Sequence, residues 1–338
     1  IDGVFDANEV DLGYHYAEAV PVYQLTVTVV PNTSDSRTHG TVQPAGGSYL
    51  EGTELVLKAL PETGYYLEGW YDANDTLLSL RPEFEVVVDS NQVLRVRFRL
   101  PQEIVVSGES ASGIQQAVNM AANGDTVVIG PGVYDGNINL QGKQIRLVST
   151  NPDDPEVVAQ TVIDCGGSGR ALIFNHGEGP DTVISGITII NGATVTEPGA
   201  AIYIGTGCSP TFINVQINNC RVGLSSGGAV YIGTNSHPTF TKVRIDNCHA
   251  ENVLIVTTDP TDPNGTTTVP FGAGNAGAVY IHTQSRPTFT DCAFTNCTAV
   301  GLGGAVYCGP DGLATFTRCD FTMKIGRASC RERVYHPV

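Results

Sequence analysis

Apolar and polar positions alternate through residues 22–99. In VYQLTVTVV, Tyr23, Leu25, Val27 and Val29 fall on one side of an extended chain. The stretches THGTVQPAGGSYLEGTELVLKALPETGYYLEGWY and FEVVVDSNQVLRVRFRL carry on the same alternation. Turn residues punctuate them at Gly46-Gly47, Glu51-Gly52, Pro61, Gly64 and Ser90-Asn91. This period of two predicts a small β unit over residues 22–100.

The pattern changes at residue 101. From Ser110 the chain reads SASGIQQAVNMAANGD, with Ile114, Ala117, Val118 and Ala121 at helical spacing, a serine N-cap and Gly124 as a stop. It is the one stretch of the chain that predicts a helix. Strands are expected at Thr126–Ile129, Ile138–Leu140 and Ile145–Val148.

Beyond them the chain repeats itself. GAAIYIGTGCSPTFINVQINNC, GGAVYIGTNSHPTFTKVRIDNC, GAVYIHTQSRPTFTDCAFTNC and GGAVYCGPDGLATFTRCDFT align without gaps over their shared region. Tyr203, Tyr231, Tyr280 and Tyr307 precede Phe212, Phe240, Phe289 and Phe316 by nine residues, and Cys220, Cys248 and Cys297 follow their Phe by eight. In the earlier VISGITIING, Ile184, Ile187 and Ile189 take the slots of Phe212, Val215 and Ile217. A fixed period of about 28 residues, as from Tyr203 to Tyr231, means a solenoid. Three short runs per repeat, broken by Gly and Asn, suit a three-sided coil with coils stacked at about 4.8 Å. Each Phe and the residues three and five later should point inward as apolar ladders. Asn218-Asn219, Asp246-Asn247 and Thr295-Asn296 should bond along one corner. From Tyr231 to Tyr280 is 49 residues, so about 21 extra residues leave one corner within 249–276, expected as a loop.

Two resemblances follow from these residues. The G-T-V, the Y-x-x-G-T turn, the A-x-P-x-x-G-Y-Y-x-x-G-W block and the closing V-x-F of residues 22–99 resemble the divergent InlB-type bacterial repeat domain. Members of that family sit in surface proteins as spacers or adhesive modules. Trp70 and Tyr66 could form a carbohydrate platform, but in so small a unit they read as core. The S-x-I-Q-x-A-V-x-x-A-x-x-G-D-T-V-V-I-x-P-G-x-Y run resembles the start of pectin-lyase-like β-helices, where the helix covers an open end of apolar rungs. The repeated G-G-A-I/V-Y and P-T-F-x-x-x-x-F/I-x-N-C pattern resembles right-handed β-helix domains of bacterial surface and secreted proteins. The expected fold is therefore all-β: a three-sided right-handed parallel β-helix over 101–323, helix-capped at its N-terminal end, preceded by the small repeat domain. Residues 1–21, with VDLGYHY, resemble the end of a preceding secreted-protein domain, and the export signal is expected upstream of Ile1.

Composition adds two points. KIGRASCRERV at 324–334 is basic and unpatterned and, back-translated, resembles a common short-read sequencing adaptor, so 324–338 is read as a non-native tail. The tail holds four Lys/Arg and one Glu of the chain's 18 basic and 34 acidic residues, leaving net −19 elsewhere. Such a surface disfavours nucleic acid and polyanionic sugars. No apolar run is long enough to span a membrane.

Candidate chemistry is sparse. The cysteines lack C-x-x-C pairs and read as buried ladders; a disulfide between neighbouring coils is the alternative. His176, Glu178 and Asp181 form the nearest thing to a polar binding cluster, with Asp164 within reach of one groove, although a solvated turn explains them as well. Asp259, Asp262 and Asn264 could hold calcium, the one cofactor considered. An Asp-rich turn explains Asp2, Asp6, Asn8 and Asp11. Motifs of polygalacturonases, pectinesterases and pectate lyases are absent, so no catalytic residue is named. The expectation is a non-enzymatic module of a larger exported bacterial protein, extracellular or at the cell surface. It would act as a rigid spacer or an adhesive surface facing extracellular polysaccharide or another cell-surface ligand. The alternative is a polysaccharide lyase or glycoside hydrolase with an unrecognised or truncated site. Paired carboxylates about 5–10 Å apart would mark the enzyme, and a face of Thr, Asn and Ser the module.

Overall fold

The computed structural model describes residues 19–106, 112–251, 253–259, 262–271, 274–323, 325–329 and 334–335. For 252–273 and 324–338 no side chain is described. Compactness divides the chain into two units, the first within residues 1–98 and the second running to the C-terminus from Arg99 with Gly64–Tyr66 added.

The first unit is two small sheets. Five strands follow the spatial order Gly47–Leu50, Val22–Val29, Gln92–Arg99, Tyr66–Tyr71, Leu77–Ser79, and three follow Gly40–Gln43, Thr53–Pro61, Glu83–Val88. Val22–Val29 and Gln92–Arg99 run parallel, so the two ends of the unit lie side by side. The alternation read from the sequence is the burial pattern: Leu25 is sealed while Val22, Gln24 and Thr26 face out. Trp70 is fully buried, stacks on Phe84 at 5.4 Å and donates its indole N–H to the Arg81 carbonyl at 2.9 Å. Tyr66 remains exposed.

The second unit is a right-handed parallel β-helix. Its first face stacks nine strands, from Glu103–Val106 through Thr211–Ile213, Thr239–Thr241, Thr288–Thr290 and Thr315–Thr317 to Val334–Tyr335. Its second face stacks seven, from Gly132–Asp135 to Asp320–Thr322. The third carries Ile138–Asn139, Leu172–Phe174, Ile202–Ile204, Val230–Ile232, Val279–Ile281 and Thr298–Cys308. Register is exact from coil to coil: Ile184, Phe212, Phe240, Phe289 and Phe316 pair in sequence down one interior column. The four phenylalanine rings stack at 4.9, 4.7 and 5.0 Å with interplanar angles under 10°. Each such ring contributes about 1.5–3 kcal/mol by burial.

Corners follow from backbone sterics. Asn191, Asn219, Asn247 and Asn296 close the turn between the second and third faces with φ of 51 to 59°, a left-handed conformation that asparagine tolerates. Their amides bond along the axis: Asn247 Nδ2 donates to Asn219 Oδ1 at 2.7 Å, and Asn296 Nδ2 to Asp246 Oδ1 at 2.9 Å.

Helix α1, Gly113–Met120, buries Ile114, Ala117 and Val118 over the first coil. Its Gln115 pairs with both backbone groups of Asn139, accepting from the N–H at 2.8 Å and donating to the carbonyl at 3.2 Å, as a neighbouring strand would. The helix ends earlier than Gly124 implied. Lys143 Nζ, from the next coil, donates to the Val118 and Asn119 carbonyls at 2.6 and 2.9 Å and satisfies groups that a helix C-terminus leaves bare. The Ser112 hydroxyl accepts from the Gln116 side chain and makes no backbone cap.

Two features depart from expectation. A second helix, α2, spans Pro155–Gln160, started by Asp154 accepting from the Glu156 N–H at 2.9 Å with proline in the first turn. The insertion after Ala250 is an antiparallel hairpin of Val253–Asp259 on Asp262–Phe271, because both arms are rich in β-branched residues.

Candidate functional site

Alternation within each three-residue strand of the first face turns Phe inward and its two flanking residues outward. Thr211, Thr239, Thr288 and Thr315 therefore form one outer column, and Ile213, Thr241, Thr290 and Thr317 the other. Hydroxyls and methyls recur at about 4.8 Å along the axis and about 6.6 Å across it. Thr211 Oγ1 donates to the Pro180 carbonyl at 3.0 Å and Thr288 Oγ1 to Thr239 Oγ1 at 3.4 Å. Each hydroxyl still has a lone pair for a ligand. All eight positions are uncharged, on a chain with 34 acidic residues. Over these four coils charge lies at the corners, as in the Asp291–Arg318 pair at 2.6 and 2.7 Å, whereas the first coils of the same face carry Glu103 and Arg146 outward. The phenylalanine column directly beneath holds this face rigid.

The third face carries a different column. Tyr203, Tyr231, Tyr280 and Tyr307 stack at 5.5, 5.4 and 4.9 Å with interplanar angles of 2, 5 and 15°. The Arg170 guanidinium sits 5.2 Å over the Tyr203 ring. Because every ring face from Tyr203 to Tyr280, and the inner face of Tyr307, meets another ring or the guanidinium, the column offers solvent mainly edges and hydroxyls. A sugar needs the faces for stacking, so this is a poor carbohydrate platform. Burial pushes the Tyr231 phenol up to about 12 and Tyr280 upward.

The polar cluster named from sequence separates. Glu178 is fully buried, and its carboxylate accepts from the Gly142 N–H at 2.9 Å, the His176 N–H at 3.0 Å and the Cys208 thiol at 3.3 Å. It braces two neighbouring coils. Burial, helped by the Glu178 charge, pushes the Cys208 thiol up to about 11. His176 and Asp181 are exposed. Asp164 Oδ1 accepts from the Gly166 N–H at 2.8 Å and from Asn191 Nδ2 at 3.0 Å, which commits it to a corner. Asp135 lies opposite Asp164 on the second face, one coil away.

Asp259, Asp262 and Asn264 belong to the inserted hairpin, and their side chains lie outside the described residues, as do Asp2, Asp6, Asn8 and Asp11. No group of three or more His, Cys, Asp or Glu is placed to hold a metal among the described residues. Among those residues no helix is long and apolar enough to cross a membrane. The first unit adds an open groove of about 300 Å³ lined by Val27, Val29, Thr41 and Val42 among others. The threonine columns were missed in the sequence, although the repeated T-F-T placed them: in a strand, neighbours of an inward residue must face out.

Comparison with known families gives two matches. The divergent InlB B-repeat domain matches residues 25–101, and the right handed beta helix region matches residues 147–326. No curated protein and no solved structure matches the chain. Domains of both kinds are typical of surface proteins.

Proposed function

Because the chain belongs to the right-handed β-helix family, we propose that it is a rigid module of an exported bacterial protein that meets uncharged extracellular polysaccharide on its threonine face. The observation that carries this reading is the double column of uncharged outward residues on an otherwise acidic molecule. Threonine offers a hydroxyl to hydrogen-bond sugar hydroxyls and a methyl to cover sugar C–H groups. One pair per coil gives a repetitive polymer several weak contacts at once, and their effect multiplies. The net charge of −16 works against polyanions.

The test is co-sedimentation with insoluble neutral glucan, chitin and polygalacturonate. Binding to a neutral polymer, and not to polygalacturonate, is expected. Changing Thr239, Thr241, Thr288 and Thr290 together to alanine should weaken it at least about tenfold, as for losing several contacts of about 0.5–1.5 kcal/mol each. Equal binding by wild type and variant would remove the face from consideration.

A second reading, polysaccharide lyase or hydrolase, rests on Asp135 and Asp164 facing one another across adjacent coils. The corner bonds of Asp164 weigh against it. The same incubations decide: new reducing or unsaturated ends that vanish with Asp135→Asn would establish the enzyme instead.

A further inference from the structure

Five of the nine cysteines occupy two distinct columns. Cys220, Cys248 and Cys297 follow the second face, sit fully inside the core and donate to carbonyls two residues back at 3.4, 3.3 and 3.1 Å. Cys292 and Cys319 follow the first face. Phe289 pairs with Phe316 before them and Phe294 with Phe321 after them, so the two cysteines lie directly over one another in adjacent coils. A strand spacing of about 4.8 Å falls inside the Cα separation of about 4.4–6.8 Å that a disulfide requires. Each thiol donates to the carbonyl two residues back, Cys292 to Thr290 and Cys319 to Thr317, both at 3.4 Å, so the two side chains are turned the same way. Cys292 is buried, whereas Cys319 is partly open to solvent.

We propose that Cys292 and Cys319 are a redox-closable dithiol whose substrate is a small disulfide such as oxidised glutathione and whose product is a bond stapling two neighbouring coils. The Cys319 thiolate attacks one sulfur of the small disulfide, whose S–S bond breaks, and one small thiolate leaves. Cys292 then gives its proton to a departing thiolate and attacks the Cys319 sulfur, releasing the second small thiol. The small disulfide is reduced to two thiols and the protein dithiol is oxidised.

The division of roles follows from surroundings. The adjoining Cys292 thiol draws Cys319 down to about 7, while the same neighbour and burial raise Cys292, so the half-open sulfur is the nucleophile and the buried one waits for the mixed disulfide. Burial pushes Cys165 up to about 12 and Cys297 up to about 11, and both are more enclosed than Cys319. Outside a cell the surroundings favour closure. This inference is independent of the polysaccharide reading.

The experiment treats the folded full chain with oxidised glutathione, quenches with iodoacetamide and maps the peptides. A cross-link between the Cys292 and Cys319 peptides is expected. Without oxidant, Cys319 should be alkylated at least about 100-fold faster than Cys297, because a buried thiol reacts only through opening of the coil. Cys292→Ser should halt the reaction at a single glutathione adduct on Cys319, and Cys319→Ser should leave Cys292 unmodified. The wild-type map decides even where a variant does not fold. A stable glutathione adduct on wild-type Cys319, no reaction at either residue, or cross-links reaching Cys220, Cys248 or Cys297 would each overturn the proposal.

Discussion

The small N-terminal unit and the β-helix are both built of strands, yet they concentrate their stability differently. In the first, two sheets close on Trp70, and no other position repeats its packing against Phe84 or its bond to Arg81. In the second, each interior slot recurs in the coil above and below, so Phe240 touches rings of its own kind on both sides. A two-sheet core fails when its central residue fails. A solenoid is closer to a sum of neighbouring contacts, in which damage stays near its origin.

The largest expected effect breaks the first half of that comparison. Trp70→Ala removes a sealed aromatic and should cost about 3–5 kcal/mol. A domain of this size holds about 4–12 kcal/mol in all. Hydrogen exchange read by peptide mass should show protection lost throughout residues 22–98 and kept in the β-helix. Local loss around Tyr66–Tyr71 alone would show that this core is as divisible as the solenoid.

Phe240→Ala should cost a similar about 3–5 kcal/mol, because the hydrogen-bonded coil spacing prevents Phe212 and Phe289 from closing the gap. The consequence should differ in extent. Protection should fall in Thr211–Ile213, Thr239–Thr241 and Thr288–Thr290 and persist at Thr126–Ile129. Uniform loss across the solenoid would mean a single cooperative block, and the contrast between the two units would vanish.

The same repetition explains what could be read from sequence. The Phe column, the thiol columns and the corner amides were legible because several aligned copies reported on each slot. Segments without a second copy were not. Helix α2 had a usable signal in Asp154-Pro155, but one short turn of helix inside a periodic stretch has no partner repeat to set it apart. The hairpin after Ala250 was read as a loop for the same reason. Glu178 looked like part of an open polar cluster because its main partner, the Gly142 N–H, lies 36 residues earlier and becomes its neighbour only when the coils stack. The threonine face needed the register as well as the repeat, since only pairing shows that outward residues of successive coils align.

The smallest effect tests repetition at a single corner. Gly199, Gly227 and Gly303 open the third face with φ of 69, 75 and 73°, and a β-carbon on any of them would run into the carbonyl oxygen three residues on. The equivalent residue in the coil between Gly227 and Gly303 is Ala276, buried and held at φ 63°. Left-handed backbone costs a residue with a β-carbon about 1–2 kcal/mol, and glycine's extra freedom in the unfolded chain offsets about 0.4–1 kcal/mol of any relief. Ala276→Gly should therefore stabilise the solenoid by about 0.5 kcal/mol and raise Tm by about 1–2 °C. Gly227→Ala should lower it by more, since it adds both the strain and the collision. A lower Tm for Ala276→Gly would mean that the methyl group fills space the other three coils leave to backbone. The coil carrying the hairpin would then follow a packing rule of its own.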